Sequence, residues 1–169
     1  MTGTTSDGAT SLRRAGPADA AEIAGLLIRA RARAAAAGSI PAAVHPDAEV
    51  RAWVAAVVVP EREVWLCVSG PGTVVGVMVL DGGWLDQLYV DPDRTGRGIG
   101  GRLVEHAKRC RPHGLQLWTF VTNVRAQRFY ERHGFAVVEA TDGSGNEEKE
   151  RDLRLAWPAP SRGARGTSR

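Results

Sequence analysis

Leu88-Tyr-Val-Asp-Pro-Asp-Arg-Thr-Gly-Arg-Gly-Ile-Gly-Gly101 is the stretch whose reading decides the fold. An apolar strand runs into a short acidic turn, then a glycine-rich loop, then a helix that begins near Ile99. The loop offers backbone N–H groups with no side chains in the way. The positive end of the helix dipole points at the same spot. Together they make an anion site suited to a phosphate or pyrophosphate.

Spacing separates the phosphate loops that could fit. A nucleotide-triphosphate loop needs Lys and then Ser or Thr after its last glycine, but Gly101 is followed by Arg102 and Leu103. The dinucleotide pattern G-x-G-x-x-G is formally present as Gly96, Gly98 and Gly101. That pattern requires its glycines directly after the strand and an acidic residue at the end of the next strand. Here Asp91 to Thr95 intervene, and the next strand, Leu115 to Phe120, runs into Val121, Thr122 and Asn123 with no carboxylate. A nucleotide-binding oxidoreductase is disfavoured on both counts.

A third pattern fits better. Leu88-Tyr89-Val90 and Pro92, then Gly96-x-Gly98-x-Gly100 and an amphipathic helix, resemble the acyl-CoA motif of the GNAT N-acetyltransferase family. A later segment, Asn123-Val-Arg-Ala-Gln-Arg-Phe129-Tyr130-Glu-Arg-His-Gly134-Phe135, resembles that family's second motif, an Asn before a helix that carries Phe-Tyr and ends in Gly-Phe. The two lie in the expected order, one strand apart. One departure is Thr95, where the family usually has Gln or Arg. Backbone amides do most of the cradling, so altered affinity is the expected consequence.

The resemblance implies an α/β fold. It is a single GNAT-like domain with a mixed central sheet of six to seven strands and about four flanking helices. An acyl-CoA wedge would open between strands 84–90 and 115–120. The order read along the chain, β-α-α-β-β-β-α-β-α-β-β, agrees. Leu12 to Ala15 reads as a first strand, and Pro17 opens a helix whose apolar face is Ile23, Leu26, Leu27, Ala30 and Ala34. A second helix is expected from Pro46 to about Val58, ended by Pro60, although Val57 to Val59 could also be extended. Strands follow at Val64 to Val68, Val74 to Leu80 and Trp84 to Val90, and late ones at Phe135 to Glu139 and Asp152 to Trp157. Residues 1–10 read as a disordered lead, 11–157 as the acetyltransferase domain, and 158–169 as a disordered tail.

Bulk properties narrow the class. A chain of 169 residues suits one domain with one substantial core. With 43% hydrophobic and 24% charged residues it reads as a soluble globular protein. No apolar run is long enough for a membrane span, and Met1 to Ser11, small and polar, reads without the basic start and apolar middle of a secretory signal. Cys67 and Cys110 make neither a disulfide framework nor a metal cluster, so a cytoplasmic location is expected and no metal is assigned. The net charge of +3 invites a nucleic-acid hypothesis. Net charge speaks to nonspecific association, and neither zinc-finger spacing nor an RNA-binding aromatic signature accompanies it.

By resemblance, an amine attacks the acetyl-CoA thioester directly in a ternary complex. The acceptor would be a small molecule or a peptide N-terminus, and a homodimer is allowed. Thr95, Gly96, Arg97, Gly98, Ile99, Gly100 and Gly101 would cradle the pyrophosphate, with Arg94 and Arg102 adding charge. The backbone of Leu88, Tyr89 and Val90 would meet the pantetheine arm. Asn123 would bind that arm, cap its helix, or do both. Tyr130 is the expected general acid, because a phenol keeps its proton at neutral pH. The competing account of Tyr130 is a core aromatic beside Phe129. For the base, Asp86, Glu139 or a water remain open. The acceptor pocket would be walled by linker 38–46, Trp84 and loop 141–151. Glu147, Glu148 and Glu150 in that loop either attract a cation or form a solvated charged surface. An acyl-CoA sensor of the same fold, without efficient turnover, is the alternative function.

Overall fold

In the computed structural model, residues 9–158 are described. Most of the expected lead and nearly all of the expected tail lie outside them. β1 (Thr10–Arg14), β2 (Glu63–Ser69) and β3 (Thr73–Asp81) pair antiparallel in a meander that continues into β4 (Trp84–Val90). β5 (Leu115–Phe120), β6 (Ala136–Ala140) and β7 (Asp152–Trp157) complete a seven-stranded mixed sheet of order β1-β2-β3-β4-β5-β7-β6. β2, β3 and β6 carry the β-branched valines expected of strands. β1 begins at Thr10 and not at Leu12, so the sheet takes in the last residue of the expected lead.

Two helical layers cover the sheet. On one face α1 (Ala20–Ala36) and the helical run from Asp47 bury Ile23, Leu26, Val54 and Val58 against Leu66, Val77 and Val79. On the other face α4 (Ile99–Cys110) lays Ile99, Leu103, Val104 and Ala107 over Met78, Leu80 and Leu85, with α5 (Val124–Arg132) beside it. β3 lies between the layers, which is why Val74 to Leu80 are all buried and the strand reads as an unbroken apolar run. Among the described residues no helix is long and apolar enough to cross a membrane.

The expected stop at Pro60 is corrected. α2 (Asp47–Trp53) passes into a π-helical turn, Val54–Val58, and a last α turn, α3 (Val59–Glu61), that contains the proline. Proline brings no N–H, and the wider turn re-pairs the backbone ahead of it: Val59 N–H donates to the Val54 carbonyl. Burial of Val54 and Val58 on α1 keeps the valine run helical, overriding its extended preference.

Gly76 sets how closely α4 approaches the sheet. A Cβ built there would lie 2.8 Å from Ile99 Cγ2 and 3.0 Å from Leu103 Cδ1. Replacing Gly76 with Val is expected to push the start of α4 off β3 and destabilise the fold by about 1–3 kcal/mol. Chemical denaturation of the two proteins checks this.

Candidate active site

β4 and β5 run parallel, and their register pairing is confined to Trp84 and Gln116. Beyond that point they splay, leaving the wedge the sequence led us to expect. A cleft of about 1390 Å³ fills the wedge. The glycine loop and α5 wall one flank, and the end of α1, its linker and loop 141–151 wall the other. A β-bulge at the Val79/Leu80 register shift leaves Asp86 as the extra residue of β4.

The glycine loop is held from both sides. Asp91 Oδ1 accepts from the Asp93 amide at 3.0 Å, closing a 3-10 turn, and the same carboxylate pairs with Arg29 of α1 at 3.3 Å. The Thr95 hydroxyl donates to the Pro92 carbonyl at 3.3 Å, so this side chain stiffens the turn where a longer one would reach outward. Gly96 and Gly98 have φ of 78° and 77°, left-handed values that side-chain-bearing residues rarely adopt. Gly98 thereby caps α4 and turns the amides of its first turn toward the cleft, where helix geometry gives them no internal acceptor. Gly100 and Gly101 serve packing as well. A Cβ on them would meet Phe129 Cζ at 3.2 Å and His133 Cε1 at 3.3 Å, so α5 sits close over α4.

Of the cradle residues expected from sequence, Thr95, Gly96, Gly98, Ile99, Gly100 and Gly101 line the cleft together with Leu88, Tyr89, Val90 and Asn123. Arg97 is not among the lining residues. Arg102 points away from the cleft: it donates to the Thr10 carbonyl at 2.8 Å and anchors β1. Arg94 lines the cleft. Asn123 Oδ1 accepts from the Ala126 amide at 3.2 Å while the residue also faces the wedge, so the capping and lining positions coincide.

Tyr130 lines the cleft although its side chain is almost wholly buried. Phe129 and Phe135 meet it edge-on, with ring centroids 5.1 and 5.5 Å away. Burial, and secondarily Tyr89, pushes its phenol well above the ordinary tyrosine value, so it is neutral at any working pH. Tyr130 is the buried residue of α5, and it both packs in the core and lines the cleft.

The two base candidates part company. Asp86 is exposed, lines the cleft and makes no hydrogen bond or ion pair among the described residues. Glu139 is held by Arg154 at 2.7 Å, away from the splay, and does not line the cleft. The acidic run of loop 141–151 does not act as a set. Glu147 bonds His45 Nε2 at 2.9 Å, and His45 Nδ1 bonds Glu49 at 2.9 Å. Both carboxylates raise the His45 pKa, Glu147 more strongly. Glu148 alone lines the cleft, where Arg31 holds it at 3.2 Å. Trp84 is not in the cleft wall either. It stacks behind Trp118, which is, with centroids 6.4 Å apart and rings 7° from parallel.

Arg31 is a wall residue that the sequence reading missed. It bridges the Tyr89 hydroxyl at 3.2 Å and Glu148, tying α1, β4 and loop 141–151 together. Its signal was present: it stands four residues after Leu27, on the apolar side of α1, where a cation needs a partner.

A family profile for the acetyltransferase (GNAT) domain matches residues 51–137, just over half of the chain. The chain belongs to the GNAT family. It is 42% identical over 79 residues to the peptidyl-lysine N-acetyltransferase YjaB of Salmonella typhimurium, a match covering 47% of this chain and 54% of that protein. The Escherichia coli YjaB is 41% identical over 81 residues, covering 47% and 53%. The chain thus spans about half the length of the curated relatives it matches. The fold comparison reaches further. The solution structure of apo YjaB from Escherichia coli superposes with a TM-score of 0.72 at 28% identity, covering 89% of this chain and 99% of that one. A PaiA N-acetyltransferase from Thermoplasma acidophilum, solved with coenzyme A, shares the fold at 17% identity with a TM-score of 0.66, covering 88% and 98%.

Proposed function

We propose that this chain moves an acetyl group from acetyl-CoA to a primary amine by direct attack within a ternary complex, and that residues 11–157 form the catalytic unit. The observation that carries the reading is the parallel β4–β5 pair that parts after one register position, with a helix N-terminus at its open end. Acetyl-CoA supplies an activated thioester. The loop from Thr95 through Gly101, Arg97 included, presents the helix-end amides to its pyrophosphate. The free edge of β4 at Leu88, Tyr89 and Val90 offers backbone partners to the amide-bearing arm, as a strand edge does to a peptide. Asn123 guards the opposite lip.

Asp86 takes the proton of the incoming ammonium, directly or through water. The neutral amine then attacks the carbonyl carbon, and the carbon–sulfur bond breaks. As the tetrahedral adduct collapses, Tyr130 donates its hydroxyl proton to the departing sulfur, and the surplus proton on the nitrogen returns through water to the phenolate, leaving the amide and a neutral thiol. Desolvation that raises the phenol pKa raises that of a thiol as well, so donor and leaving group stay matched inside the wedge. The acceptor fits a lysine side chain, as the names of the relatives suggest, and the reduced cysteines fit a cytoplasmic setting.

Calorimetric titration with acetyl-CoA, with NADH as control ligand, tests the reading. Micromolar affinity for acetyl-CoA alone is expected, together with thiol release in the presence of a lysine peptide. Absence of acetyl-CoA binding overturns it.

A further inference from the structure

The half of the sheet formed by β5, β7 and β6 has an open face. Leu115, Leu117 and Thr119 point into the core under α4 and α5, so strand alternation sends Gln116 and Trp118 to the other side. α1 packs chiefly on β3 and β4 there. Trp118 is therefore 44% exposed, among the largest apolar groups so uncovered. Its neighbours are occupied with one another. Arg154 lies opposite Trp118 in register and is held by Gln116 and Glu139. Asp152 is held by Thr141 and Asn146. Asp86, on the facing lip of the splay, is the carboxylate of the cleft wall that has no partner among the described residues.

We propose that Trp118 is a specificity-determining residue: the aliphatic stem of a lysine side chain lies along its exposed indole face, delivering the amine to Asp86. This rests on the acetyltransfer reading above. Trp84 stacked behind fixes the indole in one orientation, so a stem that lies on it loses little to reordering. An apolar platform opposite one unpaired carboxylate suits a cation on a flexible hydrocarbon arm. A peptide α-amine has no such arm. It leaves the indole uncovered if its amine reaches Asp86.

The test compares the full chain with Trp118→Ala and Trp118→Phe. Acceptors are an Nα-acetylated lysine amide and a lysine-free peptide with a free N-terminus. Acetyl-CoA affinity is measured by calorimetry on each protein, which also verifies folding. Wild type is expected to prefer the lysine amide by at least about tenfold in kcat/KM. Trp118→Ala should raise KM for that acceptor about tenfold, leave the N-terminal peptide and acetyl-CoA affinity unchanged, and be largely rescued by Phe. An unchanged lysine KM in Trp118→Ala overturns the assignment, as does a wild type that binds acetyl-CoA yet prefers the N-terminus or accepts no lysine. Loss of acetyl-CoA binding in wild type is the separate failure of the acetyltransfer reading.

Discussion

Tyr130→Phe is expected to lower kcat by about 10²-fold or more, within the range that a positioned general acid contributes. Affinity for acetyl-CoA should stay the same. The substitution removes one oxygen and keeps the ring, so the edge contacts with Phe129 and Phe135 persist and the core beneath α5 stays filled. What disappears is the donor to a sulfur that gains negative charge only as the carbon–sulfur bond breaks. An interaction made in the transition state and not before changes kcat and kcat/KM together. Steady-state kinetics at saturating amine, paired with calorimetry, separates the outcomes. Full turnover in the variant would return Tyr130 to the role of a core aromatic. The pH profile supplies a second check. The phenol is held far above neutrality by burial, so its removal should leave the apparent pKa of the rising limb where it was. That limb belongs to the proton the attacking amine must lose.

The wedge is where sequence and structure divide most instructively. β4, β5 and β7 match their expected ends residue for residue, because glycine-rich turns, loops or helix ends bound each run. The parting of β4 from β5 has no such local mark. It depends on lateral pairing between segments about thirty residues apart, and only the family resemblance pointed to it. Loop 141–151 fails for the same reason. Glu147 and Glu148 are adjacent in sequence, yet one reaches His45 and the other Arg31, partners contributed by the α1–α2 region. A run of like charge in sequence says nothing about which side each carboxylate takes. The glycines were half legible. Positive φ at Gly96 and Gly98 follows from a tight turn into a helix. The tight fit of Gly100 and Gly101 against Phe129 and His133 required knowing that α5 crosses the start of α4.

Gly98→Val carries the second large effect, and its direction follows from the backbone. Gly98 sits at φ 77° as the residue that caps α4. A β-branched side chain in that region costs about 1–3 kcal/mol or moves the backbone out of it. A Cβ built there meets nothing within 4 Å, so the cost lies in the backbone. The protein should therefore fold, with the strain relieved by rotation of the 97–99 segment. That rotation turns the first amides of α4 away from the cleft, and those amides are what the phosphate loop has to offer. Acetyl-CoA affinity is expected to fall by more than about tenfold, the equivalent of losing one charge-assisted hydrogen bond. Gly98→Ala should fall between wild type and Val, because Ala still suffers the left-handed penalty but lacks the branched carbon. Circular dichroism would verify that the helices persist, and calorimetric titration would read the affinity. Wild-type affinity in the Val variant would mean that the pyrophosphate is held by side chains such as Arg94, and that the loop backbone is a turn and no more.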